Sequence, residues 1–317
     1  MTTEVSREYN SGDGFLEGIP PEGILFQQIM YTNELVWYGR CDRQRIENWL
    51  ANFQGEVAER TLERRLALWL LANFVYYNQD EVRHLCRVVY LRFLHRVIVG
   101  GAGITPGSPM DERSLIAETM FCHLGRTSES GEMVSYFFRQ ENGLPTERFF
   151  RNPEELDDSV RRIVFVDDVA LTGEQAALYL RHAITQRGDR EVFLLTFIAT
   201  EDAKDLLAKG KIEVISPIIL DDRSHCFDKV SGTFVDCRSQ MDVCKRMASH
   251  YGAKLRPKSP LGYKDCGYAF GFFYNTPDNS LPIFWCGEQG WQPVMRRYDK
   301  KYGRQIKGAF RGHEPYI

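Results

Sequence analysis

The chain has 317 residues, of which 43% are hydrophobic and 26% charged, a balance typical of a globular protein with one large or two smaller domains. Its formal net charge of −3 provides no chain-wide attraction to a polyanion, so any nucleic-acid contact would have to be local. No apolar run reaches the roughly 20 residues that span a bilayer, and the first 20 residues are polar, so we expect a cytoplasmic protein.

The N-terminal third predicts an arm followed by a helical subdomain. Residues 1–30 show little periodicity, which is typical of a mobile or draped arm. Between residues 43 and 99, apolar side chains recur every three to four positions, and Asn78 with Glu81 three residues later predicts a helix capping box. The Gly- and Pro-rich segment 100–109 is a predicted linker, so we assign 31–109 to a helical subdomain with its linker.

The middle of the chain, 110–222, alternates between short apolar runs and helical patterns. This rhythm predicts right-handed βαβ units, and therefore an α/β fold whose parallel sheet is covered by helices on both faces. In such sheets, ligands bind at the carboxyl ends of the strands. The predicted strands cover 115–122, 163–166, 191–198 and 212–219, and the predicted helices cover 132–140, 174–186 and 202–209.

The last part, 223–317, is predicted to be a mixed, aromatic-rich cap region. A turn pattern near Asn275 and Ser280 indicates a hairpin or loop pair, whose aromatic residues either cover a ligand or form plain core. Residues 294–312 mix basic and aromatic side chains, a pattern compatible with a solvated tail or with nucleic-acid binding.

The eight cysteines are dispersed and form no CxxC pair, which favours reduced thiols in a chain of this size. His225, Cys226, Cys237 and Cys244 offer ligand types that suit zinc. Their spacing matches no structural zinc pattern, so we favour buried thiols over metal ligands there.

Two adjacent carboxylates, Asp167 and Asp168, follow four apolar residues of a predicted strand. They are either simple turn and cap residues or a binding pair, because adjacent like charges near a buried strand are costly without a cation or hydroxyl donors. A Walker-type site is disfavoured because the chain has no GxxxxGKS/T motif. Thr172 and Gly173 precede a predicted helix and would form an anion site, so a ribose 5-phosphate suits the whole segment.

The segment "VFVDDVALTG" resembles the phosphoribosyl-pyrophosphate (PRPP) signature of type I phosphoribosyltransferases. The resemblance implies that Asp167 and Asp168 contact the ribose hydroxyls. It also implies that the loop holds the 5-phosphate through Ala170, Leu171, Thr172 and Gly173. Mg²⁺ would be carried by the ligand, without a site built from protein ligands alone.

Longer segments resemble one branch of this family, the PRTase-CE domains. They are "VDDVALTGEQ", "SGEMVSYFFRQEN", "PLGYKDCGYAFGFFYNTPDNSLPIFW" and the helical segment from about Ile46. The resemblance implies an effector or accessory role in bacterial conflict and anti-phage systems, including retrons. The implied partners are a PRPP or nucleotide ligand and other defence proteins, such as a reverse transcriptase with its nucleic acid.

A second loop, 125–132, is the candidate site for pyrophosphate. Backbone and hydroxyl donors there, together with one arginine, suit an anion, although Ser- and Gly-rich loops are often simple turns. The residues concerned are Gly125, Arg126, Ser128, Ser130 and Gly131.

Glu174 and Gln175 depart from the transferase pattern, which usually has small residues and a hydroxyl after the loop. The departure leaves three hypotheses open: a phosphoribosyl-transferring or nucleotide-degrading effector, an inactive ligand-sensing or scaffolding module, and a nucleic-acid-associated subunit that uses the basic tail.

Overall fold

The computed structural model describes residues 18–100, 112–124, 130–150, 158–186, 188–295 and 297. These residues form two compact units. Residues 18–77 together with 222–297 make up the terminal unit, and Asn78–Asp221 make up the sheet unit. The predicted helical subdomain is therefore divided between the two units at residue 77. The predicted linker after Gly100 lies outside the described residues.

Helices and strands are numbered along the chain. The helices are α1 Glu22–Leu35, α2 Arg43–Leu50, α3 Arg60–Ala72, α4 Gln79–Gly100, α5 Glu112–Ala117, α6 Ser130–Glu141, α7 Glu174–Gln186, α8 Glu201–Ala208, α9 Arg238–Leu255 and α10 Pro282–Trp285. The strands are β1 Val75–Tyr77, β2 Thr119–His123, β3 Phe149–Phe150, β4 Arg162–Ala170, β5 Glu191–Thr200, β6 Ile212–Ile215, β7 Ile218–Leu220 and β8 Phe270–Phe272.

The terminal unit begins with an ordered helix where the sequence predicts an irregular arm. Helix α1 starts at Glu22, and its Leu25 and Ile29 are fully buried. The buried guanidinium of Arg65 donates to the carbonyls of Ile19 and Pro20, which fixes the chain just before the helix. The arm prediction is therefore corrected for residues 22–30, because burial against α3 supplies stability that a local pattern does not reveal.

A buried carboxylate organises the turn between α2 and α3. Glu63 is fully buried, and its oxygens accept hydrogen bonds from the backbone N–H groups of Gly55, Val57 and Ala58 at 2.7–3.1 Å. The hydroxyl of Tyr251 donates to the same carboxylate at 2.6 Å. Four donors therefore replace the water that this charge loses on burial.

Of the two forms predicted for the aromatic C-terminal segment, a hairpin or a loop pair, the hairpin is absent from the described residues. Strand β8 instead pairs in parallel with β1, with Val75 opposite Phe270 and Tyr77 opposite Phe272. Rings from both ends of the chain then share one core, in which Trp49 stacks on Phe284 with centroids 5.9 Å apart. The aromatic residues of this region are thus largely core.

The sheet unit contains a parallel sheet in the order β3-β2-β4-β5-β6, with β7 also paired to β5. The predicted α/β fold with a parallel sheet is confirmed. Two boundaries differ from the prediction: residues 115–117 end helix α5, and the run 212–219 is divided between strands β6 and β7. Strand β5 pairs first with β6, where Leu195 lies opposite Ile215, and then with β7, where Ile198 lies opposite Ile218.

Helices cover both faces of this sheet. On one face, Phe93 of α4 meets Phe193 of β5 edge to face, with ring centroids 5.3 Å apart. On the other face, Leu180 of α7 and Leu207 of α8 belong to one buried cluster with Leu194. Alternate residues of each strand supply the two cores, as the pleat requires.

Helix α4 opens with the predicted capping box. The backbone N–H of Glu81 donates to Asn78 Oδ1 at 2.9 Å, and the backbone N–H of Asn78 donates to Glu81 Oε2 at 2.8 Å. Farther along, Arg92 donates to the carbonyl of Ser216 at 2.8 Å and Arg96 pairs with Glu213. These long-range bonds join α4 to strand β6 and to the residue that follows it.

Candidate functional site

The two carboxylates lie on the central strand of the sheet unit. Asp167 is opposite Thr196 of β5, and the residue before it, Val166, is opposite His123 of β2. The sequence predicts that this strand stops at the acids. The observed strand instead continues through them to Ala170. Pairing with β5 resumes at Val169, so tertiary pairing extends the strand beyond its apolar run.

The two acids differ in exposure. Asp168 is only 4% exposed, and one of its carboxylate oxygens accepts the backbone N–H of Val169 at 2.9 Å. Asp167 is half-buried. One carboxylate is therefore held close to the backbone, while the other has access to solvent.

A three-residue turn, 171–173, joins β4 to α7 and is supported from α8. The hydroxyl of Thr200 donates to the carbonyl of Leu171 at 2.6 Å. The hydroxyl oxygen of Thr200 also accepts a hydrogen bond from the backbone N–H of Ala203 at 3.1 Å, which makes Thr200 the N-cap of α8. One side chain thus holds both the turn and the start of the neighbouring helix.

Gly173 satisfies two requirements at the end of this turn. Its φ angle of +69° lies in the left-handed region, which glycine enters without steric cost. A Cβ atom at this position would lie 3.1 Å from Ala203 Cα and 3.2 Å from the Ala203 carbonyl oxygen. The turn therefore packs so closely against α8 that any residue other than glycine would require the turn or the helix to move.

Helix α7 begins directly after Gly173. Its first backbone N–H groups and the positive end of its dipole lie beside the turn, as an anion site requires. Glu174 and Gln175 are the first two residues of this helix and both are exposed. The negative charge of Glu174 is therefore in the first turn, where it competes with a bound anion for the helix dipole.

The second predicted loop is described only at its end. Gly125, Arg126 and Ser128 lie outside the described residues, Ser130 is the first residue of α6, and Gly131 is buried. A Cβ atom at Gly131 would lie 2.2 Å from the carbonyl oxygen of Leu124, so the start of α6 closely approaches the end of β2. The described end of this loop therefore lies beside β2, the strand that pairs with the acid-bearing strand β4.

Within the described part of the chain, no group of three or more His, Cys, Asp or Glu side chains is arranged to hold a metal ion. Cys226 is fully buried, and this burial raises the pKa of its thiol to about 12. Cys237 and Cys244 are also buried, and burial raises the pKa of both thiols. Burial therefore favours the neutral form of all three thiols.

The basic tail lies almost wholly outside the described residues. Val294 and Met295 are buried, and Arg297 donates to the carbonyl of Thr276 at 2.8 Å and pairs with Asp278. None of the described helices combines the length and the apolar character needed to cross a membrane.

The family model PRTase-CE matches residues 46–297, which is most of the chain. The chain belongs to the PRTase-CE family. This PRTase-CE match extends over both compact units and includes the acid pair and its turn. The protein is therefore phosphoribosyltransferase-like, and its parallel sheet agrees with that class.

Solved structures that resemble this PRTase-CE protein include two phosphoribosyltransferases. An orotate phosphoribosyltransferase from Aeropyrum pernix is 17% identical over 41% of this chain and 70% of that chain, with a TM-score of 0.26. A xanthine-guanine-hypoxanthine phosphoribosyltransferase from Helicobacter pylori is 12% identical over 46% of this chain and 83% of that chain, with a TM-score of 0.31. No curated protein matches the chain.

Sequence reasoning missed the residues that support the turn of this PRTase-CE protein. Thr200 and Ala203 lie about 30 positions after it, on the next strand and helix. A signal was present, since a threonine followed by Glu201 and Asp202 is a typical helix start. The bond from Thr200 back to Leu171 depends on the pairing of β4 with β5, which only the fold reveals.

Proposed function

We propose that this PRTase-CE protein binds PRPP or a related nucleotide at Asp167, Asp168 and the turn that follows them. One observation carries the proposal: the acids of the central strand lead directly into a glycine turn and a helix N-terminus, fixed by Thr200 and by contact with Ala203. Carboxylates beside an anion cradle match the vicinal hydroxyls and the phosphate of a ribose 5-phosphate.

Each group has a distinct role in this proposal. Asp167 and Asp168 accept hydrogen bonds from the ribose hydroxyls. The backbone N–H groups of residues 171–173 and of the first turn of α7 hold the 5-phosphate. The loop 125–132 holds pyrophosphate, and the close approach of Gly131 to Leu124 keeps the end of this loop beside the end of β2, the neighbour of β4. Catalysis would then rest mainly on positioning and charge stabilisation.

Mg²⁺ would enter with the ligand. Carboxylate oxygens are hard donors of the kind that this ion prefers, and both acids would offer such oxygens beside the ribose. When bound, the ion would offset the charge of the pyrophosphate. The protein's own part would be to orient the ribose, through the half-buried Asp167 and through Asp168, which the backbone N–H of Val169 holds in place.

The biological role that we propose is that of an effector or accessory protein in a bacterial anti-phage system, including retron systems, in which it transfers or degrades nucleotides. The support for this role is the resemblance of the sequence to PRTase-CE proteins. The partners would be other defence proteins, such as a reverse transcriptase with its nucleic acid.

A second candidate function is a ligand-sensing module without turnover. The exposed Glu174 in the first turn of α7 favours it, since a negative charge there weakens the attraction for phosphate. Under this alternative the acid pair and its turn bind a nucleotide, and this binding changes the response of a partner.

Both candidate functions require ligand binding at the acid pair, and calorimetric titration with PRPP in the presence of Mg²⁺ tests this binding. The wild type should bind, and the double variant Asp167→Asn with Asp168→Asn should not, while its circular dichroism spectrum stays native. The matched control, Asp202→Asn with Asp205→Asn, removes the same charge from exposed positions on α8 and should bind normally. Absence of PRPP binding to the folded wild type would refute both candidates.

Release of pyrophosphate or of a free base separates the two candidates. If the protein has turnover, mass spectrometry should reveal that the wild type consumes one nucleotide of an incubated pool. The double variant should leave that nucleotide intact. Binding with an unchanged pool would favour the sensing module.

A further inference from the structure

The terminal unit carries a concentration of positive charge on α9 and on the loop that follows it. Residues 238–258 contain six basic residues and one acid, whereas the whole chain has a net charge of −3. Helix α9 is held by its other face, on which Met247, Tyr251 and Leu255 are buried. Five of the basic residues are exposed and one, Arg256, is half-buried. The six are Arg238, Lys245, Arg246, Lys254, Arg256 and Lys258.

Three of these cations have no carboxylate partner in the part of the chain that the structure describes. They are Lys245, Arg246 and Lys258. Lys254, in contrast, is paired with Glu56. The only acid of α9 is Asp242, which can offset at most one of the three charges. The exposed face of α9 therefore keeps an excess of positive charge that is available to an external anion.

The loop after α9 is folded back against the helix. The backbone N–H of Arg256 donates to the carbonyl of Gly252 at 2.6 Å, and that of Ser259 donates to the carbonyl of Arg256 at 3.0 Å. A Cβ atom at Gly252 would lie 1.9 Å from the carbonyl oxygen of Pro260, so this close approach requires glycine. The loop thus holds Lys258 beside the end of α9.

The Trp285 ring places a further arginine next to this loop. The guanidinium carbons of Arg256 and Arg297 each lie 5.2 Å from the centre of the ring. Arg256 pairs with Glu288 at 3.0 Å, and Arg297 pairs with Asp278 at 3.3 Å. Ion pairs at a protein surface are worth only about 0–1 kcal/mol, so a phosphate group can replace either carboxylate. We call the whole basic area the α9 surface, which comprises Lys245, Arg246, Lys254, Arg256, Lys258 and Arg297.

The spacing of the cations excludes a single small anion as the ligand of the whole surface. Lys245 and Lys254 are nine residues apart, which is about 14 Å along the helix. Only a partner whose negative charges repeat along its length can meet both. The surface also lacks apolar anchors: among the described residues, none of the exposed large apolar side chains lies between 238 and 258. A lipid surface or an apolar protein partner would require such anchors.

The backbone of a nucleic acid meets these conditions. Its phosphates repeat along the strand, and lysine and arginine bind them without contacting base edges. Arginine adds planar donors that match the phosphate oxygens. We propose that the α9 surface binds the phosphate backbone of a nucleic acid without reading its sequence. The acid pair takes no part in this binding, so the proposal does not depend on the proposed function.

Fluorescence anisotropy with labelled RNA, single-stranded DNA and duplex DNA tests the assignment. At least one of them should bind the wild type at about 50 mM NaCl and bind more weakly at about 200 mM, because salt competes for the phosphates. The triple variant Lys245→Gln, Arg246→Gln, Lys258→Gln should bind about tenfold or more weakly at the lower salt concentration. The slope of log affinity against log salt should become shallower by about 2 to 3, since three phosphate contacts are lost.

A second triple variant, Arg60→Gln, Lys209→Gln, Lys211→Gln, is the matched control. It removes the same charge from exposed residues outside the α9 surface and should bind within about twofold of the wild type, because salt screens distant charges. Circular dichroism verifies that both variants are folded. The double Asn variant of the acid pair should bind nucleic acid normally, and the first triple variant should bind PRPP as the wild type does. Failure of one proposal is therefore distinguishable from failure of the other.

Three results would overturn the proposal: no nucleic acid binds the folded wild type, the first triple variant binds normally, or both triple variants lose affinity equally. Phosphatidylserine vesicles and poly-L-glutamate provide the competing polyanions. Tighter binding of either one than of every nucleic acid would assign the surface to a membrane or to an acidic protein instead.

Discussion

Replacement of Gly173 by alanine probes the turn on which the proposed phosphate site depends. The variant meets two costs. The backbone at φ +69° is left-handed, which costs a non-glycine residue about 1–2 kcal/mol. The new Cβ would also lie 3.1 Å from Ala203 Cα, and crowding of a packed site costs about 1–3 kcal/mol. We therefore expect a loss of about 2–5 kcal/mol in the free energy of unfolding.

Gly188→Ala separates the two costs. Gly188 has a φ of +56°, and a Cβ atom added there would meet no other atom within 4 Å, so alanine meets the backbone cost alone. We expect a loss of about 1–2 kcal/mol for this control. Urea denaturation followed by circular dichroism measures both variants.

The difference between the two variants is the contribution of the contact between the turn and α8. Gly173→Ala should also weaken PRPP binding, because α8 or the turn must shift to admit the methyl group. If Gly173→Ala is no less stable than Gly188→Ala, the contact with Ala203 does not constrain the turn, and the reasoning about this site is wrong.

Three further outcomes are expected. Glu63→Gln should lower the free energy of unfolding by about 2–4 kcal/mol, because an amide leaves buried donors unmatched. The exposed control Glu59→Gln should change the free energy of unfolding by no more than about 0.5 kcal/mol. Equal losses for the two variants in urea titrations would contradict the role of the buried carboxylate. Glu174→Gln should tighten PRPP binding about two- to fivefold in calorimetry by removing a charge near the phosphate, and weaker binding would count against the phosphate site. Stability should fall as pH rises above about 9, since unfolded thiols ionise there while burial keeps folded thiols protonated. Urea midpoints at pH 8 and pH 10.5 should differ accordingly, and equal midpoints would exclude this linkage. Burial raises the pKa to about 11 for Cys41 and to about 12 for Cys86, Cys122 and Cys226.

Local features were predicted well because their causes lie within a few residues. The capping box of Asn78 and Glu81 joins groups three positions apart, and both of its hydrogen bonds are present. The strand–helix rhythm of the sheet unit likewise follows from apolar spacing along each segment. The acid pair and its glycine turn could be found because the motif is contiguous in the chain.

Long-range features were missed for the opposite reason. The aromatic segment near Phe270 has the composition of a hairpin, yet its partner is Val75, almost 200 residues earlier. The irregular-looking residues after Glu22 form a helix because they are buried against α3. No window of sequence contains both partners of such contacts.

The sequence alone therefore determined the chemistry that the candidate site offers: two carboxylates, a turn with glycine, and a helix start in one continuous segment. The tertiary structure decided what holds that segment in place, through Thr200 and Ala203 on the neighbouring strand and helix. The physical reason is that residue types and local spacing are properties of the chain, whereas burial and close approach depend on which distant segments pair.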